Sequence, residues 1–260
     1  MTTEHDSRAQ SLERFSRFAS HYVTSSTHAS GYDLDQLLAF AVPRPHWIAL
    51  DVATGGGHTA LKLAPHVRQV IALDLSSVML NAAHTFHHNK GADNIVYLRS
   101  DAELLPFADN CLDLVACRIA PHHFPYVHRF VMDAARVLKP GGRLVVQDQV
   151  VPENRKAAAY LEAFERLRDP SHNHAYNEYE WRGMFLDADL KVEQMTTLRK
   201  THNLVPWAKM QDCPPDVIAR LHIMLVQAPQ AVADFVRPVA AGTSDARFDH
   251  VNILISGSKP

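Results

Sequence analysis

The chain has 260 residues, 47% of them hydrophobic, and a formal net charge of −2. It is therefore long enough and apolar enough to bury a large core. The balanced charge, without a long basic run, argues against binding to nucleic acid. No apolar stretch approaches the ~18 residues that a membrane span requires, and the first residues lack the apolar core of a signal peptide. We expect a cytoplasmic protein with no nucleic-acid partner and no membrane span.

The first predicted elements are two short helices within residues 11–41, joined by a turn at residues 24–30. Strands and helices then alternate. Strands are predicted at residues 47–52, 70–74, 95–100, 112–118 and 143–148, with helices at residues 58–64, 78–89 and 127–142 between them. Ser76 or Ser77 is the expected N-cap of the second of these helices. The alternation indicates an α/β fold with a parallel, doubly wound sheet.

Beyond residue 150 the regular alternation of predicted strands and helices ends. A helix is predicted over residues 154–169 and a second one near Tyr179, with Asn177 as its N-cap. A strand at residues 190–200, further helices and a last strand at residues 250–260 complete the chain. No internal repeat or linker marks a boundary, so we expect a single domain over residues 1–260.

The most distinctive segment is WIALDVATGGGHT, in which an apolar strand ends on Asp51 and is followed by three glycines, residues 55–57. Glycines that open a helix let a ligand approach backbone N–H groups that a Cβ would block. A second apolar run, VIALD, ends on Asp74, roughly twenty residues later, where a carboxylate can accept hydrogen bonds from both hydroxyls of a ribose. The pattern predicts a site for an adenosine-bearing ligand.

Charge decides between two nucleotides for this site. Gly55, Gly57 and Ala60 also fit the G-x-G-x-x-G/A pattern of dinucleotide-binding proteins. A carboxylate at Asp51 would repel a pyrophosphate, but it would attract the ammonium and sulfonium groups of S-adenosylmethionine. Asp101, at the end of the third predicted strand, adds an acidic group suited to an adenine edge. We therefore expect S-adenosylmethionine, with a nicotinamide dinucleotide as the alternative.

These residues stand in segments that resemble the class I S-adenosylmethionine-dependent methyltransferases, and among them the small-molecule methyltransferases of the ubiquinone/menaquinone-biosynthesis type. The resemblance runs from about residue 22 to residue 150 and is strongest in LDVATGGG, ALDLS, DAELLPF, CLDLVACRIAPHHF and LKPGGRLVVQD. It implies a Rossmann-like, seven-stranded, mostly parallel sheet with an antiparallel last strand and helical insertions after strand five. It also implies a helical lid at residues 1–45, a donor-binding core at residues 46–150 and acceptor-side elements at residues 151–260.

The resemblance assigns the donor-binding residues one by one. They are Asp51, Ala53, Gly55 and Gly57 in the glycine loop, Asp74 at the ribose with Leu75 beside it, Asp101 and Ala102 at the adenine, and Arg118 under the ligand. Tyr22 is expected on the lid near the methionine portion, with His28 as a further candidate there. Many relatives have glycine at position 53, but alanine is common in the resembled subgroup. Two alternatives stay open: Tyr22 packs in the core, and Arg118 pairs with a carboxylate such as Asp51 or Asp101.

Methyl transfer needs little acid–base assistance once the sulfonium group is in line with a nucleophile, but a phenol, enol or amine acceptor can use a base. By the geometry of the resembled family, the acceptor lies above strands four and five, near Pro121 and Asp148. His122 and His123 are therefore the candidate catalytic bases. Adjacent residues of an extended loop point to opposite sides, so at most one of them is expected to face the pocket. A structural role is the alternative for both.

The other histidines and the cysteines are expected to be structural or solvated. His84, His87 and His88 are predicted on the exposed face of their helix. His172 and His174 are predicted in a solvated loop, because no acidic partner stands at a metal-like spacing. The three cysteines form no paired motif, so no metal site is expected.

Aromatic residues after position 150 have two open interpretations. They line an apolar acceptor pocket, or they fill the core beneath the insertions. The residues are Tyr176, Tyr179, Trp181 and Trp207.

The predicted function is in-line transfer of a methyl group from S-adenosylmethionine to a small-molecule acceptor, with a carbon or oxygen atom as the methylated position. The alternatives are an NAD-linked oxidoreductase of Rossmann type and a non-catalytic protein that binds the donor. The sequence does not specify the acceptor, and a homodimer stays open.

Overall fold

The computed structural model describes residues 8–14, 16 and 32–260, and residues 8–14 and 16 are helical. The strands are β1 (Ile48–Val52), β2 (Gln69–Asp74), β3 (Ile95–Arg99), β4 (Leu112–Arg118), β5 (Leu138–Gln149), β6 (Lys191–Asn203) and β7 (Arg247–Ser258). From residue 32 on, the α-helices are α1 (Tyr32–Ala41), α2 (His58–Leu63), α3 (Ser77–Asn89), α4 (Val127–Val137), α5 (Arg155–Arg168), α6 (Glu178–Asp187), α7 (Leu204–Lys209), α8 (Pro215–Val226) and α9 (Gln230–Val236). Two short 3-10 helices cover Ala64–His66 and Pro121–His123.

The seven strands form one sheet in the order β3-β2-β1-β4-β5-β7-β6. The first five strands in this order are parallel to their neighbours, whereas β7 runs antiparallel to both β5 and β6. The predicted Rossmann-like sheet with an antiparallel last strand is confirmed. The chain moves outward from β1 to β3 and then returns to the other side of β1. This reversal leaves a crevice at the carboxyl ends of β1 and β4.

Apolar residues cover both faces of the sheet. Leu50 and Val52 of β1 belong to one buried cluster, whereas Ala49 belongs to a second. Successive side chains of a strand point to opposite faces, so these clusters lie on opposite sides of the sheet. A third cluster, which includes Phe164 and Trp207, lies among α5, α7, α8 and α9. The insertions after β5 therefore have a core of their own.

Several boundaries differ from the sequence prediction, and strand pairing explains two of them. Helix α4 ends at Val137, and β5 begins at Leu138 rather than at residue 143, because Leu138 is buried and pairs with Leu112 of β4. Strand β7 begins at Arg247, where it pairs with Asn203 at the end of β6. In both places the pairing of strands overrides the local helix or loop signal. No helix within the described residues is long and apolar enough to cross a membrane.

Candidate active site

One cavity lies at the carboxyl ends of the central parallel strands. Its wall includes loop and strand-end residues that the sequence analysis selected, namely Ala53, Gly55, Asp74, Leu75, Asp101, Ala102, Arg118 and His123. Arg8, Ser11 and Leu12, from the helical residues 8–14, line it as well. Asp51, Gly57 and His122 are not among the described lining residues. Tyr22 and His28 fall outside the residues that the structure describes.

The glycine loop turns sharply between β1 and α2. Ala53, Gly55 and Gly57 have φ values of 53°, 53° and 83°, in the left-handed region. An L-residue there costs roughly 1–2 kcal/mol, which explains why glycine suits position 53 and why Ala53 stores strain. The Thr54 N–H donates to Leu73 O at 2.9 Å, so the loop is fastened to the end of β2.

Asp51 fastens the same loop from inside the protein. Its Oδ2 accepts from the Thr54 hydroxyl at 2.6 Å and from the Ala60 N–H at 3.0 Å. Burial raises the pKa of Asp51 to about 7, although these hydrogen bonds and the charge of Arg118 oppose the shift. The observed contacts make Asp51 a support for the loop, and its direct contact with the donor stays a prediction.

Asp74 joins the glycine loop to the start of α3 and also lines the cavity. Its Oδ2 accepts from the Gly55 N–H and its Oδ1 from the Ser76 N–H, both at 2.9 Å. Ser76 in turn caps α3, since its Oγ accepts from the Met79 N–H at 3.3 Å. Burial raises the pKa of Asp74. The carboxylate is thus held by two backbone donors at the position expected for a ribose acid.

Asp101 forms an ion pair with Arg8, a residue that the sequence analysis did not identify. Arg8 Nε lies 2.8 Å from Asp101 Oδ2, and the Arg8 guanidinium also pairs with Glu103. The Glu103 N–H donates to Asp101 Oδ1 at 2.9 Å. The helical residues 8–14 are therefore anchored to the side of the cavity formed by Asp101 and Glu103. No local pattern links position 8 to a segment some ninety residues away, so sequence spacing offers no signal for this contact.

Arg118 pairs with Asp33, and neither Asp51 nor Asp101 is its closest carboxylate. Arg118 Nη1 lies 2.9 Å from Asp33 Oδ2, and its Nε donates to Thr59 Oγ1 at 3.3 Å. The next residue, Ile119, has φ 53°, which is rare for a β-branched side chain. Such strain is typical of functional sites. The end of β4 is thus held in an unusual conformation where it lines the cavity.

His122 and His123 lie in a 3-10 helix, not in the extended loop that was expected, and their ring centroids are 4.1 Å apart. His122 Nδ1 is 2.6 Å from Asp148 Oδ1, and the His122 N–H donates to Asp148 Oδ2 at 2.7 Å. His123 lines the cavity, and its Nδ1 is 3.0 Å from Ser171 O. Of the two candidates, His123 is the one that lines the cavity.

The pKa values of the two imidazoles are shifted in opposite directions. Burial alone would lower the pKa of His122, but the charge and hydrogen bond of Asp148 outweigh burial and the pKa is raised. Burial, together with the neighbouring His122, lowers the pKa of His123 to about 3. The cavity therefore presents the neutral imidazole of His123, and the neighbouring imidazole of His122 is shifted toward its protonated form.

Two predictions of solvated histidines are wrong. His87 is fully buried: its Nε2 is 2.8 Å from Gly57 O and its Nδ1 is 2.8 Å from Tyr97 Oη. His172 is also buried, 2.9 Å from Gln149 Nε2 and 3.3 Å from Glu162 Oε1. Residue 87 continues the helical spacing of the buried positions 79, 80 and 83, and this signal would have revealed it.

The aromatic residues after position 150 do not contribute to the cavity wall. Trp181 is fully buried in a sheet-side cluster, and Trp207 stacks on Phe164 with ring centroids 5.4 Å apart. Tyr179 is exposed. The alternative of core filling therefore describes the two tryptophans. Within residues 8–14, 16 and 32–260 there is no group of three metal-ligating side chains that could hold a metal ion.

Comparison with known proteins gives the family. A family model for a methyltransferase domain matches residues 50–146. The uncharacterized methyltransferase YcgJ of Bacillus subtilis (strain 168) is 34% identical over 202 residues, which cover 78% of this chain and 80% of YcgJ. The chain belongs to the class I S-adenosylmethionine-dependent methyltransferases. The solved structure of YcgJ has a TM-score of 0.84 to this methyltransferase at 31% identity, over 88% of this chain and 98% of its own.

Two further relatives extend this picture. A structure from Bacillus halodurans C-125 is similar to this methyltransferase with a TM-score of 0.84 and 33% identity, over 88% of this chain and 100% of its own. The ubiquinone/menaquinone biosynthesis C-methyltransferase UbiE of Brucella canis is 34% identical over 117 residues, only 43% of this chain and 44% of UbiE. The similarity to UbiE thus covers less than half of either protein.

Proposed function

We propose that this methyltransferase transfers a methyl group from S-adenosylmethionine to a carbon or oxygen atom of a small-molecule acceptor. The observation that carries the proposal is the meeting of Asp74 and Asp101 with Gly55 around one cavity at the carboxyl ends of parallel strands. Crevices at this point of a doubly wound sheet bind nucleotides. Carboxylates there suit a ligand with hydroxyl donors and positive charge.

The cavity wall fits this donor better than a dinucleotide. A Cβ at Gly55 would have Met79 Cε as its nearest neighbour, at 3.5 Å, so the protein leaves the backbone accessible at this point. Arg8 and Arg118 are both ion-paired with protein carboxylates. A pyrophosphate would have to compete with those carboxylates for either cation, and it would lie beside Asp74.

Each wall residue has a role that its contacts support. Asp74, oriented by two backbone N–H donors, would accept from the ribose hydroxyls. Asp101 and Ala102 would flank the adenine, and Arg118 would lie beneath the ligand. When bound, S-adenosylmethionine supplies a methyl group on a positive sulfur that an acceptor can displace in line. The chain's own contribution is to orient the reactants and exclude water.

The acceptor side of the cavity includes His123 and the neighbouring Phe124 and Pro125. An imidazole with a pKa of about 3 is a weak base, so removal of a proton from a phenol of ordinary pKa, about 10, would be strongly uphill. We therefore assign His123 to orienting the acceptor as a hydrogen-bonding group. An electron-rich carbon, or an oxygen that is already ionised, suits this site. The partial match to a C-methyltransferase favours carbon.

Calorimetry and a labelled-donor assay test this function. We expect S-adenosylmethionine and its demethylated product to bind and NADH not to bind. Radiolabelled donor incubated with phenols, quinols, amines and thiols should then label a carbon or oxygen acceptor. NADH affinity without affinity for S-adenosylmethionine would instead indicate the oxidoreductase. Donor binding with no transfer to any class of acceptor would indicate a non-catalytic binding protein.

The wider biological setting belongs to the same proposal. The net charge of −2 supports a small-molecule acceptor in preference to a nucleic acid. We also propose a cytoplasmic location. We propose that residues 1–45 form the lid, residues 46–150 the donor-binding core and residues 151–260 the acceptor-side elements.

A further inference from the structure

A buried carboxylate on the acceptor side connects two parts of the cavity wall. Asp169 follows α5 and is 4% exposed. Its Oδ1 accepts from the Ser171 N–H at 2.9 Å and from the Ser171 hydroxyl at 2.6 Å. Its Oδ2 accepts from Gln211 Nε2 at 3.2 Å. Burial alone would raise the pKa of Asp169, but nearby positive charge and the Ser171 hydrogen bonds lower it to about 2, so the group is ionised.

The Ser171 contacts determine which ring nitrogen of His123 carries its proton. Nδ1 of His123 lies 3.0 Å from the Ser171 carbonyl oxygen, which can only accept. The Ser171 Oγ, at 3.3 Å from the same nitrogen, donates its hydrogen to Asp169 and so also acts as an acceptor. Nδ1 is therefore the protonated nitrogen of this neutral ring. The lone pair is on Nε2, which makes His123 a hydrogen-bond acceptor through that atom.

The same carboxylate holds the helical residues that cover the cavity. Arg14 Nε lies 3.0 Å from Asp169 Oδ1 and 3.0 Å from Gln211 Oε1. On the same helical segment, Arg8, Ser11 and Leu12 line the cavity. The segment is thus fixed at one end by the ion pairs of Arg8 and at the other by Asp169. Ser16 Oγ, 2.8 Å from Ser76 Oγ, adds a further contact, so Asp169 is one of several anchors of this segment.

We propose that Asp169 is a positioning residue that serves both walls: it fixes the Nδ1–H tautomer of His123 through Ser171, and it docks the cavity-covering helix through Arg14. This inference rests on the proposed function, because it takes the cavity to be the place where donor and acceptor meet. One buried side chain, Asp169, thus affects both how tightly the donor is retained and how polar the surface is that the acceptor contacts.

The test combines nitrogen NMR of labelled histidine with calorimetry of S-adenosylhomocysteine. The His123 ring signals are assigned by their loss in His123→Gln. We expect a protonated Nδ1 in the wild type. Asp169→Asn should move proton occupancy toward Nε2 and weaken binding of the product by about tenfold, the effect of losing a hydrogen bond between charged groups. Ser171→Ala removes the hydroxyl that joins Asp169 to this turn but keeps the carbonyl, so it should shift the His123 signals less than Asp169→Asn does and leave the affinity unchanged. Arg14→Gln should change only the affinity.

The matched control is Asp113→Asn. Asp113 also accepts from a backbone N–H, that of Ile48 at 2.8 Å, and pairs with Lys139 at 2.8 Å, but it lies at the opposite, amino end of β4. We expect Asp113→Asn to lower the free energy of unfolding and to leave both the His123 signals and the affinity for S-adenosylhomocysteine unchanged. If Asp169→Asn leaves either readout at the wild-type value, the shared role is overturned. If Asp169→Asn does not fold, an unchanged His123 signal in Ser171→Ala or an unchanged affinity in Arg14→Gln overturns it.

The outcome is separable from a failure of the proposed function. A wild-type protein that does not bind S-adenosylhomocysteine contradicts the methyltransferase proposal directly. The His123 signals of the ligand-free protein still report on the tautomer in that case, and a ring protonated on Nε2 overturns the positioning role by itself.

Discussion

The proposed donor wall of the cavity, which includes Asp74 and Asp101, and the proposed acceptor wall, which includes His123, are built in different ways. On the donor wall, backbone N–H groups hold the carboxylates at the strand ends: those of Gly55 and Ser76 donate to Asp74, and that of Glu103 donates to Asp101. On the acceptor wall, the contacts join distant side chains, such as His122 to Asp148 and Asp169 to Arg14. Backbone-based contacts survive changes of side chain elsewhere. A wall of paired side chains can be altered by single substitutions, which suits the part of an enzyme that selects its substrate.

The largest expected effect separates two glycines of the donor wall. A Cβ at Gly57 would lie 2.2 Å from His87 Nε2, whereas one at Gly55 would meet nothing closer than 3.5 Å. Both residues have positive φ. We expect Gly57→Ala to lower the free energy of unfolding by about 3–5 kcal/mol, from steric overlap and backbone strain together. Gly55→Ala should cost about 1–2 kcal/mol, from strain alone.

Chemical denaturation and calorimetry with S-adenosylhomocysteine distinguish the two glycine variants. Gly55→Ala should keep the fold and lose affinity, because the added methyl group enters the cavity wall. Equal losses of stability in the two variants would show that the contact between His87 and the loop does not constrain Gly57.

The low pKa of His123 makes the stability of the proposed acceptor wall depend on pH. Because the folded-state pKa of His123 is about 3, below the usual 6.5, its neutral form stabilises the protein above pH 6.5 and this contribution is lost as pH falls toward 3. Between pH 6 and 4, the stability difference between wild type and His123→Gln should fall by up to about 1.4 kcal/mol per pH unit. If the free energies of unfolding of the two proteins change in parallel with pH, His123 is not a buried, neutral group with a lowered pKa.

The neighbouring His122 should show the opposite trend. Its folded-state pKa is raised, so its stabilising pair with Asp148 is fully present below pH 6.5 and is lost as pH rises through the higher folded value. In His122→Gln, the deficit relative to wild type should therefore be largest at acidic pH and shrink as pH rises. Denaturation of both variants in the same buffers makes each the control for the other.

A smaller effect is expected at the ribose acid. Asp74→Ala should weaken binding of S-adenosylmethionine by about 1–3 kcal/mol, because a charged acceptor for two hydroxyls is lost. Asp35→Ala is the control, since Asp35 is exposed and pairs with Lys62 on the helical surface. Calorimetry should show no change for the control. Unchanged affinity in Asp74→Ala would exclude Asp74 from the ribose role.

The same contrast explains which features the sequence could predict and which it could not. The sheet follows from local patterns, and so does the meeting of Asp74 and Asp101, because parallel strands bring their carboxyl ends to one edge. The ion pair of Arg118 with Asp33 depends on how α1 packs against the sheet, which no spacing encodes. The burial of His172 depends on Glu162, a residue of a different element. Contacts between distant elements carry no periodic signal, so these contacts could be found only in the structure.

The smallest expected effect tests strain in the loop itself. Ala53 has φ 53°, so Ala53→Gly should relieve about 1–2 kcal/mol of strain against a loss of about 0.5–1 kcal/mol in chain entropy. We expect a gain of about 1 kcal/mol or less in the free energy of unfolding. Ala49→Gly, on the same strand-loop unit but inside β1, gains no such relief and should be destabilised. If both variants lose stability alike, the donor loop is not strained at Ala53, and its geometry follows from the glycines and Asp51 alone.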